Sequence, residues 1–143
     1  MKRTLLSMLA LCALVFACKK DKDDDNVNKE ALLGKWELKT QYRNVVENNT
    51  SKRDTTTYPA GLQITEFLKN DILVLHVRSI AGMKRDTGIY KLDGSNVILT
   101  EPGSTKADTM KISKLDGSNL QGYKKFVNSS TRYTEFWLNY KKQ

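Results

Sequence analysis

The sequence predicts an all-β domain, an eight-stranded antiparallel up-and-down barrel, with a small β-sandwich as the alternative. Three observations carry this. Apolar residues recur with period two in successive segments, as half-buried strands require. Short turns rich in Gly, Asn and Asp separate those segments at hairpin spacing. Once its leader is set aside, only about a third of the chain is apolar, which suits strands with one face in water.

The leader comes first. Lys2 and Arg3 precede residues 5–16, LLSMLALCALVF. A bilayer-crossing helix needs about 20 apolar residues, so this run has the length of a secretory core instead. Val15-Phe16-Ala17-Cys18 resembles a bacterial lipobox. The resemblance implies cleavage before Cys18 and lipidation of that cysteine with acyl chains such as palmitate. Cys12 fits less well, because bulky Leu11 precedes it. An ordinary signal peptide with an incidental cysteine is the alternative. Residues 19–25, KKDKDDD, have nothing to bury and read as a solvated tether. Acidic residues next to a lipidated cysteine also resemble the export tag of some Gram-negative surface lipoproteins. The expected address is the outer membrane, lipid-anchored and at the cell surface, with a periplasm-facing lipoprotein as the alternative. Three segments follow: a signal peptide over 1–17, the lipidated Cys18 and charged tether over 18–28, and one barrel domain over 29–143.

Within that domain, residues 29–33 suit one helical turn or a lead-in. Residues 34–43, GKWELKTQYR, alternate Trp36, Leu38, Thr40 and Tyr42 against Lys35, Glu37, Lys39 and Gln41, giving a strand with one apolar face. Residues 48–59 are polar and read as a long loop. Residues 62–68 and 72–78 are two strands joined by Lys69-Asn70-Asp71, and 80–84 form a connection. The string KLDGSN stands at 91–96 and again at 114–119. Asp-Gly suits the positive φ of tight hairpins, so both copies read as turns and not as a duplicated binding module. The second copy is flanked by a less regular pattern that suits a bulge. The last strand places Phe136, Leu138 and Tyr140 on one face, with Tyr133 and Trp137 on the other. The eight predicted strands span 35–45, 61–68, 72–79, 85–92, 96–101, 108–115, 119–127 and 131–141. Eight strands in a meander can close with no free edge around side chains or one small ligand.

Gly34-Lys35-Trp36 resembles the Gly-x-Trp signature of lipocalins. Residues 88–100, GIYKLDGSNVILT, look like the middle hairpin of small lipocalin-like lipoproteins. The resemblance covers residues 30–141. It implies a Trp plugging the closed barrel end, often beneath an Arg near the last strand, for which Arg132 is the nearest match by position. It also implies a pocket at the other end for a small apolar or amphipathic ligand. Trp36, Leu38, Tyr42, Tyr90, Phe136 and Leu138 are the candidate lining residues, each also readable as plain core.

Composition limits the remaining functions. With Cys12 in the leader, Cys18 is the only cysteine of the mature chain, so no intramolecular disulfide forms. The single histidine, His76, lies inside an alternating strand with no nucleophile elbow in the chain, and reads as a structural residue. His/Cys metal sites fail on residue count, and no Gly-rich phosphate loop occurs. No enzyme, cofactor or metal is expected. The formal charge of +8 falls by two when Lys2 and Arg3 leave. The basic residues are scattered, and a secreted address argues against nucleic acid. Acidic glycans, lipopolysaccharide or simple solubility account for the charge. A monomer is expected. Two functions stand open: a barrel that holds a small ligand, and a filled barrel that meets a protein or glycan through its loops and outer face.

Overall fold

The computed structural model describes residues 26–100 and 104–143. Cys18, the leader and the charged tether lie outside the described residues. One short helix, α1 (Lys29–Leu32), precedes nine strands. These are β1 (Gly34–Glu47), β2 (Thr50–Thr57), β3 (Gln63–Phe67), β4 (Ile72–Ser79), β5 (Gly82–Asp93), β6 (Asn96–Thr100), β7 (Ala107–Leu115), β8 (Asn119–Ser129) and β9 (Arg132–Lys142). Every pairing is antiparallel. β1 bonds to β3 along its first part and to β9 along most of its length, which closes an eight-stranded barrel. The expected barrel is therefore present, and the sandwich alternative is not.

β2 is the additional strand, and it occupies the stretch expected to be a loop over 48–59. It pairs with β1 from Thr40↔Thr57 to Glu47↔Thr50. The two-residue turn between them is Asn48-Asn49, both at positive φ (47° and 63°). That is the type I′ geometry that matches strand twist. β2 buries no apolar side chain, so backbone pairing and the β-favouring threonines hold it. The expected connection over 80–84 is likewise shorter, because β5 begins at Gly82.

An extra residue in β1 changes which side chains face inward. Leu38 opposes Tyr140 but Thr40 opposes Asn139, which leaves Lys39 as a bulge. Directly opposed residues share a face. Trp36 and Leu38 therefore point inward, while Thr40, Tyr42 and Asn44 point outward beside Asn139, Trp137 and Glu135. Strict alternation along residues 34–43 is broken at this point, and Tyr42 leaves the interior.

The core fills one end of the barrel. Trp36, Phe67, Leu32, Leu38, Leu120 and Val97 are its largest fully buried side chains. Each contributes about 1.5–3 kcal/mol by leaving water. α1 crosses this end: Asn28 caps it by accepting from the Glu30 N–H at 2.9 Å, and Leu32 inserts into the core. The Trp36 indole Nε1 donates to the Leu32 carbonyl at 2.6 Å, and Val27 N donates to the Gly94 carbonyl at 3.1 Å. The chain thus enters at the closed end.

The two KLDGSN copies form different turns. In the first, Asp93 pairs with Asn96 across a two-residue loop in which Gly94 has φ 58°. In the second, the Asp116 carboxylate accepts from the Ser118 and Asn119 backbone N–H groups at 2.9 and 2.7 Å. Gly117 needs no positive φ there, since the Asp116 side chain organises the turn. The expected bulge beside it falls between Ile112 and Lys114.

Candidate functional site

The end opposite Trp36 is open, and strand lengths explain why. β6 pairs with β5 only over 89–93, so residues 82–88 of β5 bond to β4 alone among the described residues. β7 leaves β8 above Lys111↔Tyr123, so among the described residues 124–129 of β8 pair as a strand with β9 alone. The wall parts between β5 and β8, above the short β6. An open cavity of about 880 Å³ lies there, within the range of about 300–1,000 Å³ usual for small-molecule sites.

Its lining divides into two zones. Leu73 and Leu75 of β4 and Leu99 of β6 supply the apolar part. They oppose Gly88, Asp86 and Tyr90 respectively, and Leu73 and Leu99 also touch the core cluster. Lys84, Arg85, Asp86, Lys106, Asp108 and Lys124 supply the charged part. Lys84 Nζ lies 3.0 Å from Asp86 Oδ2. Lys124 of β8 pairs with Asp108 of β7 across the opening between those strands.

The six lining candidates separate in space. Trp36, Leu38 and Leu138 are buried in or beside the closed-end core. Tyr90 is buried too, stacks edge-on against Phe67 at 5.1 Å and donates its hydroxyl to the Leu68 carbonyl at 2.9 Å. Burial pushes its pKa above the ordinary phenol value. Tyr90 also reaches a smaller surface hollow of about 490 Å³ beside Lys29, Asp71 and Ile89. Phe136 faces inward higher on β9, edge-on to Phe126 at 5.7 Å. Tyr42 is outside. The charged part of the larger cavity is lined by residues that apolar alternation passes over. Asp108 stands two before buried Met110, and Lys124 two after buried Gly122. Charges at inward-facing strand positions are the signal that marks them.

The outer face carries a second cluster. Tyr42, Trp137 and Tyr123 pack in a row, with ring centroids 5.2 and 5.3 Å apart. Glu135 accepts from the Tyr123 hydroxyl at 2.9 Å and from Asn44 Nδ2 at 3.0 Å. Burial and then the Glu135 carboxylate raise the Tyr123 pKa. Arg132, matched by position to the Arg of the Gly-x-Trp resemblance, lies at the far end of β9, 3.7 Å from Glu47. The cation over Trp36 is Lys142, at 5.0 Å from the ring centroid. His76 Nε2 lies 3.0 Å from Glu66 Oε2, on neighbouring strands of the sheet.

A comparison with protein-family profiles finds no match, and neither does one with characterised proteins. Solved structures do match in fold. An uncharacterized protein from Bacteroides eggerthii superposes with TM-score 0.50 at 14% identity, covering 78% of this chain and 99% of that one. Lobster apocrustacyanin A1 gives TM-score 0.51 at 12% identity, and apocrustacyanin C1 gives 0.55 at 12%. Each match covers 81% of this chain and 63% of the crustacyanin, so the chain spans less than two thirds of their length. These likenesses establish a lipocalin-like barrel.

Proposed function

We propose that the chain is a lipid-anchored outer-membrane lipoprotein that works by binding, and that its barrel holds a small amphipathic ligand. The observation that carries the ligand reading is the open cavity of about 880 Å³, with leucines on one side and charge on the other. The lipocalin-like fold is consistent with it, since barrels of this size hold one small ligand. The leader, Cys18 and the charged tether support the anchor. The row of Tyr42, Trp137 and Tyr123 favours a second reading, in which a protein or glycan partner meets the outer face.

Native mass spectrometry of the full chain, purified gently from host cells, tests the choice. An extra mass that is lost on denaturation supports the carrier and identifies its cargo class. A bare chain that also takes up no added amphiphile supports the surface reading.

A further inference from the structure

We infer that the cavity selects amphiphiles with an anionic head, and that the head takes the place of Asp108 at Lys124. This rests on the cavity reading above and adds the charge and orientation of the ligand. Lys124 continues the inward-facing series of Leu120 and Gly122 on β8 and opposes Phe136 of β9. Its side chain is 17% exposed. An ammonium so placed needs a negative partner, because burying an unpaired charge is costly. Asp108 is that partner and is the more open of the two, with a side chain 44% exposed. The carboxylate can therefore turn to water while the ammonium stays in the wall.

The surroundings favour an incoming anion. Among the described lining residues, Lys84, Arg85, Lys106 and Lys124 stand against Asp86 and Asp108. Leu73, Leu75 and Leu99 offer the tail an apolar surface in the same cavity. A carboxylate or phosphate head accepts charge-assisted hydrogen bonds from Lys124, and the released Asp108 is rehydrated. A neutral head cannot make this exchange, because it leaves the Lys124–Asp108 pair as its competitor.

Isothermal titration of the purified full-length chain with decanoate, decyl phosphate and 1-decanol tests this. The two anions should bind about tenfold more tightly than the alcohol. Lys124→Gln should erase that preference and Lys124→Arg should retain it. Asp108→Asn should strengthen binding of the two anions, and by more than it changes binding of 1-decanol. Opposite effects at the two partners mark displacement, whereas a purely structural pair makes both substitutions weaken binding alike. That result, or equal binding of all three probes, overturns the anionic-head inference while the cavity reading stands. Binding of none of the three by folded chain overturns the cavity reading itself. Should Lys124→Gln fail to fold, Asp108→Asn and Lys124→Arg decide the matter.

Discussion

The Lys142 ammonium sits 5.0 Å from the centroid of the buried Trp36 ring and donates to the Ala31 carbonyl at 3.2 Å. It joins the last strand to α1 over the closed end of the barrel. Trp36→Ala removes the plug and should cost about 3–5 kcal/mol. Lys142→Ala should cost about 1 kcal/mol, through the lost cation–π contact and the packing of its stem. Urea titrations followed by circular dichroism measure both. An Arg132→Ala chain should match wild type within about 0.5 kcal/mol, since among the described residues its side chain makes an exposed pair with Glu47 and no other ion pair.

Gly122 should not tolerate a side chain. A Cβ there would overlap Sδ of Met110, which is itself buried. Gly122→Ala should destabilise by about 1–3 kcal/mol. Adding Met110→Ala should recover part of that loss, so a double-mutant cycle should show a favourable coupling.

Stability should fall on both sides of neutrality, for different groups. The Lys39 ammonium, 2.6 Å away, and the Gly61 N–H, at 2.5 Å, hold the Glu37 carboxyl below its ordinary pKa. The Ser118 N–H and the Asn119 contacts hold Asp116 well below its own. A depressed folded pKa contributes stability above the unfolded value, about 4.3 for Glu and 3.9 for Asp, and that contribution is lost as pH falls through the folded value. Urea midpoints should drop from about pH 5 downward. Glu37→Gln should lower stability at pH 7 and flatten that slope. Burial raises the Tyr140 pKa, which contributes stability below about pH 10 and is lost above it. Ultraviolet titration should find Tyr140 ionising only as the barrel opens.

Ligand binding should follow the cavity and not the outer aromatic row. Leu75→Trp fills the apolar zone and should weaken decanoate binding at least about tenfold. Tyr42→Lys, on the outer face beside Trp137, should leave that affinity unchanged. The reverse pattern would move the functional surface outside the barrel.

Cys18→Ala should abolish metabolic labelling with palmitate and move the chain out of the membrane fraction. Cys12→Ala should do neither. Labelling that persists in the Cys18→Ala chain would remove the anchor from the proposal.

Most of the barrel was legible because half-buried strands print their faces onto the sequence. Eight strands and the turn residues follow from period-two alternation and from local turn chemistry, while the Trp36 plug is what the Gly-x-Trp resemblance implied. β2 left no such print: TSKRDTTT buries nothing apolar, and only its Asn48-Asn49 turn and threonines hint at it. Tyr42 was misplaced because one extra residue, Lys39, reverses every side chain after it, and apolar alternation does not register a bulge. Identical KLDGSN strings form two turns because register, not composition, selects between a Gly94 turn and an Asp116 turn.

The sequence alone thus determined the all-β class and the strand series, which are properties of local pattern, and the resemblance at Gly34-Lys35-Trp36 implied the plug. Only the tertiary structure decided the cup and its chemistry. Among the described residues, the cavity exists because β6 and β7 pair along only part of the longer β5 and β8, a fact about how strands pair and not about any one strand's pattern. Lys124 and Asp108 meet there across a parted pair of strands. They meet because the register of β7 against β8 turns both charges inward just where the backbone pairing of the two strands ends, and register leaves little trace in the pattern of either strand alone.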